Sequence, residues 1–145
     1  MPDTWEQLLC FEIPSQPGME RLAMDRVADV ARDLVSAPVL ERMKTAVSEG
    51  TLNAIEHGNH FREDLLVQID VLSSPRAVRV MITDRGGQQV LPEVPVPDLE
   101  AKLAGLEPTR GWGMFLIRNM VDELHTTVDG QHHTLVLDFY RESRE

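Results

Sequence analysis

Apolar residues recur at strand spacing near the start of this 145-residue chain, at helical spacing through its next third, and again at strand spacing beyond. Residues 6–13 (EQLLCFEI) read as an opening strand. Pro17-Gly18 starts a helix in which Met19, Leu22, Ala23, Val27, Val30, Ala31 and Leu34 return every three or four positions. Pro38 sits where a second helix would begin, with Leu40, Met43, Val47 and Ala54 as its apolar side and Gly58-Asn59 as its stop. Two alternating runs follow, one with Val67, Ile69 and Val71 on a single face and one with Val78, Val80 and Ile82. Ser73-Ser74-Pro75 is the turn between them. From Arg85 to Arg110 the pattern lapses; Pro92, Pro95, Pro97 and Pro108 leave room only for a short helix at Asp98–Leu103. Helical spacing returns over Trp112–Leu124, with Ile117, Met120, Val121 and Leu124 as the stripe. A hairpin, His125–Val128 and His133–Phe139 around Asp129-Gly130, closes the chain.

The predicted order is β-α-α-β-β-loop-α-β-β. It implies an α/β (α+β) two-layer sandwich with a mixed, mainly antiparallel sheet and helices on one face. The length suits one domain over residues 1–145, with a lid at about 88–110, since a loop this long in a small domain is usually functional.

Composition narrows the function. The formal net charge of -10 argues against direct nucleic-acid binding, which is driven by lysine and arginine, and favours a partner with a basic patch. No apolar run reaches membrane-spanning length and no secretory signal opens the chain, so a cytoplasmic setting is expected. Cys10 is the single cysteine, which rules out an intrachain disulfide; it is expected as a small buried hydrophobe in the first strand.

The second helix carries the first candidate chemistry. Glu49, Asn53 and His57 fall at i, i+4 and i+8, one above another on one face. A carboxylate, a carboxamide and an imidazole in a row are poor core material. The amide oxygen of Asn53 suits a hard cation such as Mg²⁺, which takes most other ligands from water and phosphate. Glu49 can accept a proton from an attacking hydroxyl. Asp84 ends a strand just before Gly86-Gly87; it suits either a turn or an acceptor for the exocyclic amine of a base. Gly111 and Gly113, beside Arg110, open a helix, an arrangement that serves as a hinge or as a phosphate site. The five histidines show no zinc-binding spacing.

Together these segments resemble the ATP-binding fold of the GHKL superfamily, most closely its bacterial anti-sigma-factor serine kinases. There the N box looks like E-A-V-x-N-A-I-x-H-G; here Glu49 to Gly58 reads E-G-T-L-N-A-I-E-H-G. The family's last glycine box looks like G-x-G-L-F-L-I-R-x-L-V-D-E-V; here Gly111 to Leu124 reads G-W-G-M-F-L-I-R-N-M-V-D-E-L. Two positions depart. Gln88 stands where D-x-G-x-G would place its second glycine, and Gly50 replaces an alanine. A mid-helix glycine costs roughly 0.5–1 kcal/mol relative to alanine, and the sequence supplies no reason for it.

The resemblance implies an anti-sigma regulatory factor with Mg-ATP-dependent serine kinase activity. Its partners would be a sigma factor, which it sequesters, and a small anti-anti-sigma protein of the STAS type, which it phosphorylates. By the same resemblance Glu49 is the base, Asn53 ligates Mg²⁺, and Asp84 reads adenine. His57, Gly86, Arg110, Gly111 and Gly113 complete the ATP site, and a homodimer is suggested. The alternative is a sequestration module of the same fold that binds nucleotide weakly or not at all, which Gln88 favours. The ATP-binding half of a histidine kinase is a third reading, disfavoured because no phosphoacceptor helix pair precedes residue 6.

Overall fold

The computed structural model describes residues 4–86 and 113–142. Strand β1 (Glu6–Pro14) leads into helices α1 (Met19–Ala31) and α2 (Ala37–Asn53), and α2 runs on into a π-helical turn, Ala54–Gly58. Strands β2 (Leu66–Ser73) and β3 (Ala77–Asp84) follow. After the undescribed stretch come helix α3 (Gly113–Met120) and strands β4 (Glu123–Asp129) and β5 (His132–Tyr140). The predicted lid at about 88–110 lies outside the described residues.

The five strands form one sheet in the order β1-β2-β3-β5-β4. Among the described residues every pairing is antiparallel, where a mixed sheet was expected. Alternation puts Val67, Ile69 and Val71 of β2, and Val78, Val80 and Ile82 of β3, beneath the helices. Leu135, Leu137 and Phe139 of β5 continue that floor. From the helix layer, Ala23, Val27 and Ala31 of α1, Val39, Met43, Ala46 and Val47 of α2, and Ile117 of α3 close the core. Small alanines on α1 let it lie near α2, whereas Leu22 turns to solvent, 45% exposed, outside the stripe its spacing suggested.

Two further expectations are corrected. Cys10 is exposed. Phe11 and Ile13 occupy the buried face of β1, so the intervening parity sends Cys10 and Glu12 outward. The last helix also stops short of the predicted Leu124. Glu123 and Leu124 pair with Asp138 and Leu137 as the start of β4. Asp122 fixes the changeover: its N–H donates to the Asp138 carbonyl at 2.9 Å, and its Oδ2 accepts from the Tyr140 N–H at 2.8 Å.

Gly50 now has a reason. A Cβ there would lie 2.9 Å from Ile82 Cδ1 and 3.2 Å from Leu135 Cδ2. The absent side chain lets α2 settle directly on β3 and β5, which outweighs the small loss in helix propensity.

Candidate nucleotide site

The site is assembled where the end of α2 meets the ends of β3 and β5. Glu49 and Asn53 flank Gly50 on the last turns of α2 and are half-buried. Glu49 borders a cleft of about 390 Å³ on the helix side, shared with Met24 of α1, Lys44 and Ser48 of α2, and Leu116 of α3.

Beyond Asn53 the helix widens. The Asn59 N–H donates to the Ala54 carbonyl at 2.8 Å, a five-residue step that defines the π turn. Such turns are rare and often mark functional positions. His57 is exposed on this turn. The chain then leaves through His60 and Phe61, whose φ angles of 52° and 61° are left-handed. Hydrogen bonds from Phe61 N–H to the Ile55 carbonyl (2.9 Å) and from Arg62 N–H to the Asn59 carbonyl (3.0 Å) hold this exit.

The π turn presses Gly58 against Asp84. A Cβ on Gly58 would collide with the Asp84 carboxyl group, and one on Gly86 would collide with the Gly58 carbonyl oxygen. Both glycines are therefore required by close approach rather than by positive φ. Asp84 itself is 4% exposed. Its Oδ1 accepts the Gly86 N–H at 2.8 Å, and its Oδ2 lies 3.3 Å from His133 Nδ1. A buried carboxylate held in this way is an acceptor aimed from a rigid frame, suited to an amine donor on a flat ligand.

Asn59 ties the pieces together and was not among the sequence candidates. Buried, it accepts the Arg85 N–H through Oδ1 at 2.8 Å. Its Nδ2 donates to Ser15 Oγ at 2.8 Å and lies 3.3 Å from the Leu66 carbonyl. One side chain thus links the end of β1, the start of β2 and the turn after Asp84. His133 was missed as well, passed over as one of five histidines without metal spacing. Its role is visible only through the sheet register, which sets it directly opposite Asp84.

The structure brings Gly58, Asn59, Asp84, Gly86 and His133 into contact and places Gly113, buried, at the start of α3. Arg110, Gly111 and Gln88 lie outside the described residues. Among the described residues no group of three His, Cys, Asp or Glu side chains forms a metal cluster. The amide oxygen of Asn53 is of the chemical type that suits Mg²⁺ whose other ligands come from water and phosphate.

Comparison with known proteins agrees with this geometry. The histidine kinase-like ATPase domain matches residues 13–139. The chain is 27% identical over 138 residues to a protein named serine-protein kinase RsbW from Oceanobacillus iheyensis, spanning 88% of this chain and 82% of that one. It is 32% identical over 124 residues to an anti-sigma F factor from Clostridium botulinum, spanning 83% and 84%. Among solved structures, the RsbU and RsbW domains of Rv1364c from Mycobacterium tuberculosis superpose with a TM-score of 0.63 at 16% identity. That match covers 94% of this chain but only 34% of the larger one, and it establishes the shared fold. With an N-box helix, a buried strand-end aspartate and a match running through nearly the whole core, the chain belongs to the histidine kinase-like ATPase domain family.

Proposed function

We propose that this protein is an anti-sigma regulatory factor that sequesters a sigma factor and uses Mg-ATP to phosphorylate a serine or threonine of an anti-anti-sigma partner. The observation that carries the nucleotide half is Asp84: a buried carboxylate between glycines, fixed at the sheet end where a base could lie flat. The names of its two relatives, a serine-protein kinase and an anti-sigma F factor, support the regulatory half.

In this reading Asp84 accepts the adenine amine, and Gly86 and Gly113 let backbone approach the nucleotide. Glu49 stands one turn before the end of α2, beside an open cleft through which a partner's hydroxyl can reach it. It takes the hydroxyl proton as the oxygen attacks the γ-phosphorus, and the bond to the β-phosphate oxygen breaks to leave ADP. Asn53 would hold Mg²⁺, which supplies charge neutralisation on the phosphates when bound.

The test is incubation with γ-labelled ATP, Mg²⁺ and candidate partner proteins. Label on a partner's serine or threonine is expected. Absence of any binding heat at millimolar ATP would replace this reading with sequestration alone, the behaviour Gln88 favours.

A further inference from the structure

His133 is a buried imidazole that the proposed chemistry does not use. It opens β5 opposite Asp84 in the β3–β5 register, with Val128 of β4 on its other side. It is 9% exposed and its Nδ1 lies 3.3 Å from Asp84 Oδ2.

An ionised carboxylate only accepts hydrogen bonds, so the nitrogen facing it carries the proton. Among the described residues Asp84 therefore has one donor on each oxygen: the Gly86 N–H on Oδ1 and the His133 Nδ1–H on Oδ2. Gly58 closes a third side, since even a methyl group there would strike the carboxyl. The terminal torsion of aspartate is soft when free, and two donors on opposite oxygens remove that freedom. Among the described residues each oxygen keeps a lone pair for a further donor.

We propose that His133 is a positioning residue that locks the Asp84 carboxylate as an acceptor, and so strengthens its hold on the 6-amino group of a purine. This deepens the nucleotide-binding reading and rests on it. Pre-organisation matters because an acceptor already aimed pays no ordering cost when the amine arrives. A 6-oxo purine presents an acceptor to the same fixed oxygen, and nothing in the triad can turn to donate to it.

The experiment compares ATP with purine riboside triphosphate, which lacks the amine, by calorimetry with Mg²⁺ on the full chain. His133→Leu should lose about tenfold in ATP affinity, the worth of one charge-assisted hydrogen bond, while its affinity for the amine-free nucleotide stays within about twofold. His133→Asn, whose amide nitrogen can take the place of Nδ1, should recover most of the loss. Equal weakening of both nucleotides, or an Asn variant as damaged as Leu, overturns the proposal. If His133→Leu does not fold, His133→Val replaces it with the same two outcomes. Asp84→Asn separates the levels. If it fails to show an amine-dependent loss, Asp84 does not read the base and both readings fall; if it shows one while His133→Leu does not, only the role of His133 is lost.

Discussion

Gly58 and Gly86 touch backbone to backbone: a Cβ on Gly86 would sit 2.8 Å from the Gly58 carbonyl carbon and collide with its oxygen. The π turn and the strand-end turn are thus packed as one piece, with Asp84 caught between them. Gly86→Ala cannot be absorbed by rotating a side chain, because the obstacle is main chain. Overpacking of this kind costs about 1–3 kcal/mol, read as a lowered urea midpoint. Nucleotide affinity should fall along with it. Gly50→Ala is the contrast: its close contacts are the terminal methyls of Ile82 and Leu135, which can turn aside. Its gain in helix propensity offsets that repacking, and stability should stay within about 1 kcal/mol of wild type.

Glu49→Gln keeps the shape and helix propensity of residue 49 but removes the proton acceptor. Phosphoryl transfer to the partner should drop about 10²–10⁴-fold. ATP and partner affinities should change little, since Asp84 and the glycine contacts are untouched. Wild-type transfer rates in single-turnover assays would reduce Glu49 to a surface residue.

Asn59→Leu removes the partner of the Arg85 N–H, the Ser15 hydroxyl and the Leu65 and Leu66 carbonyls at once. At about 1–3 kcal/mol for each buried group left unsatisfied, a destabilisation of about 2–4 kcal/mol is expected in denaturant unfolding. Asn59→Asp should be little better. It preserves the acceptor for Arg85 but turns a second oxygen toward the Leu66 carbonyl, where the amide donated.

Cys10 offers a check on the exposed face. A hydrogen bond with Asp70, its cross-strand neighbour, is the main cause holding the thiol above the usual cysteine range. Less thiolate is present near neutrality, so alkylation of the native protein should be slow at pH 7 and accelerate as pH rises past 9. Asp70→Asn removes the charge and lowers the thiol pKa, so it should speed alkylation at pH 8. Failure of Cys10 to react in the native state at any pH would contradict its exposure.

Asp138→Ala breaks the bidentate pair with Arg79, whose Nε and Nη2 lie 2.7 and 2.9 Å from the two carboxylate oxygens. The guanidinium retains its stack on Trp5, 4.2 Å from the ring centre, and some water contact. The loss should therefore be about 1–2 kcal/mol, below that of a wholly buried pair. It lies on the sheet face away from the helices, so nucleotide affinity should not change.

Strong periodicity made most elements legible in advance. Strands β2 and β3 alternate so cleanly that only their ends moved by a residue or two. The last helix was drawn too long because Val121 and Leu124 keep helical spacing, while the strand pairing that claims Leu124 depends on β5, far along the chain. Glu49, Asn53, Asp84 and Gly86 stood out because their residue types are costly or unusual where they sit. Asn59 and His133 did not. Asn59 meets Arg85 and Ser15, and His133 meets Asp84, across 26 to 49 positions of sequence, and contacts of that kind exist only once the sheet order is known. The π turn was hidden for a related reason: Ala-Ile-Glu-His continues an α-helix by every local criterion, and it is Gly58 packing on Asp84 that rewards the wider turn.

The strand order has a bearing on motion. Among the described residues β2, β3 and β5 are inner strands, flanked on each side, while β4 is an edge strand exposed along almost its whole length. Amide hydrogen exchange should therefore run fastest through β4 and slowest through β2, β3 and β5, since inner ladders open only with the whole sheet. Asp84 and His133 face each other across two of those slowest-exchanging strands, so the floor of the site is ordered before any ligand arrives.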